Sequence, residues 1–189
     1  MKKILVVLCI IAIAKTNAQN TSNSIVEKDS IGININAPKG VYQYAFRIGE
    51  WESTHKSLKS RNEWSTGTSH FKVYVAENGL TFIEEGLDDK GNIKHRITFD
   101  YVETTNSWKN HYKDLVTGRE VDYTSKMVDG KLVEIIQREN NVNNNTYDVL
   151  QDNIYTYTAY RTYNNGFSLI NHVGISTKKV VEPFSDLKK

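Results

Sequence analysis

Residues 119–138 read REVDYTSKMVDGKLVEIIQR, and this stretch decides the fold. Val121, Tyr123, Ser125 and Met127 alternate with Glu120, Asp122, Thr124 and Lys126, the two-residue period of a strand with one buried face. Asp129-Gly130 then supplies a pair that tolerates the positive φ of a tight hairpin, and a second apolar-rich run follows from Lys131. The same pattern extends in both directions. Ten candidate strands cover 49–57, 65–76, 80–87, 93–101, 107–113, 119–127, 131–138, 145–151, 154–162 and 167–175. Asn78-Gly79 and Asn164-Asn165-Gly166 punctuate them as Asp129-Gly130 does, with looser turns at Asp88-Asp89-Lys90-Gly91-Asn92 and Thr117-Gly118. Strands joined in this way form an antiparallel up-and-down meander. Closing it into a β-barrel eliminates its exposed edges. The expected fold is therefore all-β, an up-and-down antiparallel barrel of about ten strands over residues 41–177.

The flanks read differently. Lys2 and Lys3 precede the apolar run Ile4 to Ala14, and Thr16-Asn17-Ala18 offers a small residue before Gln19. This is the layout of a signal peptide over residues 1–18, with an apolar run too short to span a bilayer. The expected destination is periplasmic or secreted, after cleavage near Ala18. Removing those 18 residues from 189 leaves 171, and loss of Lys2, Lys3 and Lys15 leaves 21 basic against 22 acidic side chains, a net charge of −1. Such a balance argues against a nucleic-acid partner. Cys9, the single cysteine, leaves with the leader, which excludes disulfides, thiolate metal sites and cysteine nucleophiles. Residues 19–40 are polar and rich in Asn and Ser, and read as a flexible leader with a strand-like patch at Ile31, Ile33 and Ile35; residues 178–189 read as a tail. Tyr42, Tyr44, Phe46 and Ile48 introduce the ordered domain through one short helical turn. No transmembrane segment and no signature of oligomeric state is found.

Tyr44-Ala45-Phe46-Arg47-Ile48-Gly49-Glu50-Trp51 carries a family resemblance. An aromatic lead-in followed by G-x-W at the first strand resembles the lipocalin-like (calycin) barrels, and more closely the DUF1579-type secreted proteins. Phe82-Ile83-Glu84-Glu85-Gly86, Trp108 at the fifth strand, and Tyr160-Arg161-Thr162-Tyr163-Asn164-Asn165-Gly166 before the last are similar to the corresponding segments of that group. The final turn departs from the pattern, with Asn164 and Asn165 for the usual Asp and Gly, and Phe167-Ser168 where an x-T-W is customary. The resemblance implies that Gly49 and Trp51 close one end of the barrel, with Arg161 laid across the Trp51 ring. It implies no catalytic residue.

Alternation places Trp51, Ser53, His55 and Ser57 inward on the first strand, Ile93, His95, Ile97 and Phe99 on the fourth, and Tyr155, Tyr157, Ala159 and Arg161 on the ninth. The lumen this predicts is aromatic with a few polar heads: His55, His95, Tyr112, Tyr123 and Tyr157. Such a lining suits a small, partly apolar ligand, although a small barrel is also able to fill itself with its own side chains. His55 and His95 suit hydrogen-bonded core histidines as well as a site. No H-x-H, H-E-x-x-H or inward acid cluster accompanies them, so no metal and no cofactor are expected. His172 lies where haem-binding nitrobindin-type barrels keep a histidine, but Gly49-Glu50-Trp51-Glu52-Ser53 lacks their glycine extension and parity turns His172 outward. Glu84 and Glu85, neighbours on a strand, face opposite sides, with one solvated. Asp88 to Asn92 faintly resembles a calcium loop and reads as a turn.

Three functions fit. The first is a barrel that binds a small ligand. The second is a cofactor-free lyase or isomerase using Tyr and His as acid and base. Its setting would be polysaccharide utilisation, since the Asn- and Lys-rich composition resembles Bacteroidetes-type secreted proteins. The third is an interaction module with a filled barrel and exposed aromatics such as Tyr74 and Tyr160.

Overall fold

The structure is a computed structural model that describes residues 26–179, so the expected signal peptide lies outside the described residues. A 3-10 helix, Lys39–Arg47, precedes ten strands: β1 (Gly49–Ser60), β2 (Glu63–Val75), β3 (Thr81–Leu87), β4 (Ile93–Val102), β5 (Ser107–Asp114), β6 (Glu120–Val128), β7 (Lys131–Gln137), β8 (Asn141–Gln151), β9 (Ile154–Tyr163) and β10 (Ser168–Lys178). Each strand pairs antiparallel with its sequence neighbours, and β1 pairs with β10 to close the barrel. The β6–β7 turn has Asp129 at φ 50° and Gly130 at φ 77°. Both central residues are left-handed, which matches the twist of the flanking strands.

Because the chain runs up and down, one end collects the starts of the odd strands and the other collects their ends. The first is closed. The 3-10 helix follows Pro38 and crosses it, burying Val41, Tyr44 and Arg47. The Tyr44 ring packs 4.6 Å from Phe99, 5.4 Å from Phe82 and 5.3 Å from Trp108. The tilted geometries are those aromatic quadrupoles favour.

The segment expected to be a flexible leader is in part built into this plug. Lys28 bridges Asn34, the Asp29 carboxylate accepts from the amides of Ile31 (3.0 Å) and Ile33 (2.9 Å), and the Asn34 amide donates to the Gly79 carbonyl at 3.0 Å. Ile33 is fully buried while Ile31 and Ile35 stay exposed. Polar composition hid one apolar anchor held by turn hydrogen bonds. Three boundaries move by three or more residues, the first being β1, which runs on to Ser60 where 57 was expected. β8 starts at Asn141 rather than 145, since sheet pairing to Gln137 and Tyr163 overrides the poor strand propensity of its asparagines. β10 runs into the expected tail as far as Lys178, which pairs with Trp51.

Glu84 and Glu85 do face opposite sides, but neither is solvated. Glu85 lies on the outer face under Lys72 Nζ (2.9 Å) and Arg96 Nη2 (2.6 Å). Burial pushes its carboxyl up, but these two cations outweigh burial and hold it below its ordinary value. Among the described residues no helix is long and apolar enough to cross a membrane.

Candidate functional site: a lumen between a buried ion network and an arginine mouth

Trp51 reaches the closed end from the first strand, where its indole Nε1 donates to the Arg47 carbonyl at 2.7 Å. The Tyr155 ring meets it edge-on at 4.8 Å. The cation over the Trp51 ring is Lys178, with Nζ 5.8 Å from the centroid, and not Arg161. Register explains the correction: Trp51 pairs with Lys178 at the closed end, whereas Arg161 pairs with Leu169 near the opposite end of β10. Arg161 instead donates from Nε to Asn143 Oδ1 at 3.2 Å.

Arg47 forms the floor of the lumen. Its guanidinium is ion-paired to Glu84, lies 3.7 Å from Glu134 and donates to Tyr44 Oη at 2.9 Å. It also sits 4.9 Å from the centroid of Tyr147. Burial opposes its charge, but Glu84 beside it keeps the group well above its usual range. Glu134 accepts from Asn145 Nδ2 (3.0 Å) and Tyr147 Oη (2.9 Å), and burial raises its pKa. A buried charge is tolerated only with such partners. Sequence reading missed this network. Glu134 was legible, because it shares inward parity with Leu132 and Ile136, but nothing periodic marks Arg47.

Above the floor lies a cavity of about 520 Å³. His95, Tyr112, Tyr123 and Tyr157 line it, as alternation predicts, together with apolar Ile97, Val121 and Ile136. His55 does not line it. Three inward rings lie over glycines of paired strands: His55 over Gly67, His95 over Gly86, and Tyr157 over Gly174. A Cβ on Gly67 would come within 2.7 Å of His55 Nε2, and the other two rings sit closer still. The glycines provide the space that lets these rings lie flat on the wall.

His172 points inward, against the parity expectation. The β9–β10 register shifts between Ile170 and His172, a bulge at Asn171 that turns the rest of β10 over. His172 consequently stacks on His55, with centroids 5.0 Å apart and planes at 25°. Its Nε2 lies 2.6 Å from Tyr157 Oη and its Nδ1 3.0 Å from Ser57 Oγ. Burial, then the His55 charge, lowers the His172 pKa, and burial pushes Tyr157 up to about 12. At neutral pH the pair is thus a neutral imidazole hydrogen-bonded to a neutral phenol.

Arg119 and Arg138, which the sequence reading did not single out, line the open end with Arg161. Burial and the charges of Arg119 and Arg161 lower the pKa of Arg138. Among the described residues no three His, Asp or Glu side chains are placed to hold a metal ion. The Asp88 carboxylate is taken up by the Lys90 and Asn92 amides of its own turn, at 2.9 and 2.8 Å. Tyr74 and Tyr160 are exposed.

No protein-family model and no curated protein matches the chain. Solved structures do. The S-type phycobiliprotein lyase CPES from Guillardia theta superposes with a TM-score of 0.52 at 10% identity, over 74% of this chain and 92% of that one. Rv2717c from M. tuberculosis superposes with a TM-score of 0.50 at 6% identity, over 77% of this chain and 100% of that one. At such identities the likeness is one of fold alone, that of a closed antiparallel, lipocalin-like β-barrel.

Proposed function

We propose that this protein is a DUF1579-type barrel, exported through its N-terminal segment to the periplasm or beyond, that binds a small, partly apolar ligand in its lumen. The observation that carries this reading is the cavity of about 520 Å³ left above the Arg47 floor. A barrel packed by its own side chains would have no such space, and sites of this kind combine apolar walls with a few placed polar groups. His95, Tyr112 and Tyr157 supply those groups here. Native mass spectrometry of residues 19–189, purified gently from the producing organism, tests it against the denatured mass. A reproducible extra mass released by denaturation is expected. Retained binding of the best ligand by folded His95→Phe and Tyr157→Phe variants would overturn the pocket assignment.

One observation favours a second reading, a cofactor-free lyase or isomerase: the 2.6 Å contact between Tyr157 Oη and His172 Nε2, at the cavity wall. A neutral imidazole beside a phenol has the groups needed to take and return a proton. Turnover that disappears in His172→Gln but survives His55→Gln would support this reading. No turnover across a broad substrate panel would remove it.

A further inference from the structure

Three arginines gather at the mouth of the lumen. Arg119 leads into β6, Arg138 leaves β7 and Arg161 sits late on β9, so the three reach one end of the barrel from neighbouring hairpins. None of them forms an ion pair among the described residues, whereas Lys72, Arg96, Lys113 and Lys131 on the outer wall each meet a carboxylate. Asp114, a nearby acid, forms an ion pair with none of the three arginines, and one of its carboxylate oxygens accepts from the Val116 and Thr117 amides at 2.9 Å each. Among the described residues the single side-chain partner of Arg161 is a neutral amide oxygen, on Asn143. At the floor, by contrast, Arg47 is matched by Glu84 and Glu134. Like charges that lack ion-pair partners repel one another, and an anion seated among them would relieve that repulsion. Guanidinium groups also match the paired oxygens of carboxylate, phosphate and sulfonate in geometry.

We propose that the ligand is an amphipathic small anion, with its apolar body against Ile97, Val121 and Ile136 and its acidic head held by Arg119, Arg138 and Arg161. This rests on the reading of the lumen as a ligand site and names the ligand's chemical class.

The test uses two fluorescent probes with one ring system, anilinonaphthalene sulfonate and phenylnaphthylamine, which differ by the anionic group. Titrated into the purified protein, the sulfonate is expected to bind at least tenfold tighter than the neutral probe, with an advantage that shrinks as sodium chloride is raised. The triple substitution Arg119→Gln, Arg138→Gln, Arg161→Gln is expected to abolish that advantage, so that the two probes bind the variant with equal affinity. Equal affinities for the two probes, or a sulfonate preference that survives the triple variant or high salt, would overturn the anion assignment while leaving the ligand site intact. Binding of neither probe would overturn the ligand-site reading, and the anion proposal with it. The probe ratio and its salt dependence are both read on the unmodified protein and do not depend on the variant folding.

Discussion

His172 Nε2 lies 2.6 Å from Tyr157 Oη although the two residues sit on strands whose simple alternation would turn one of them outward. The bulge at Asn171 brings them together. Because the buried imidazole has a lowered pKa, the unfolded chain binds its proton more readily than the folded one. Its contribution to stability is present above the ordinary histidine value of about 6.5 and is lost as pH falls through that value towards the lower folded one. Urea denaturation of the unmodified protein and of His172→Gln at about pH 7.5 and about pH 5 should therefore differ in slope. The unmodified protein loses more stability on acidification than the variant does.

The buried ion network predicts a large and repairable loss. Arg47→Met leaves Glu84 and Glu134 facing one another without a cation. Breaking a buried pair from one side costs about 3–5 kcal/mol. Adding Glu84→Gln and Glu134→Gln to the same chain should recover much of that loss, because no uncompensated charge then remains. Urea denaturation of the single and triple variants reads both effects.

At the closed end, Trp51 and its cation separate cleanly. Trp51→Ala should cost about 3–5 kcal/mol, the usual loss for a large buried aromatic. Lys178→Met should cost about 1 kcal/mol or less, the scale of a cation–π contact near the surface. Arg161→Met should leave the melting temperature unchanged within about 2 °C, since it touches neither Trp51 nor the plug. A loss for Arg161→Met equal to that for Trp51→Ala would contradict the observed register.

The wall glycines predict overpacking. Gly174→Ala would push a methyl into the Tyr157 ring and should destabilise by about 1–3 kcal/mol. In a Tyr157→Ala background the same change should cost much less. A double-mutant cycle by chemical denaturation measures the difference.

All ten strands and the tight hairpin at Asp129-Gly130 were legible in the sequence, because a two-residue period and turn residues are local properties of the chain. So were the inward faces of β4, β6 and β9, which place His95, Tyr123 and Tyr157 on the lumen. These follow from one strand at a time. Tertiary structure alone decided what depends on which strands meet and in what register. Lys178 rather than Arg161 covers Trp51 because β1 and β10 pair at that point. His172 turns inward because a single bulge resets parity for the remainder of its strand. Arg47, Glu84 and Glu134 lie far apart in the chain and become one network only when the barrel closes around the 3-10 helix. The arginine mouth has the same origin: residues 119, 138 and 161 share no local pattern, and ring closure carries their three hairpins to one end. Local sequence determines the faces of each strand, and long-range pairing determines which faces come together, since burial and charge interactions reward neighbours in space whatever their separation along the chain.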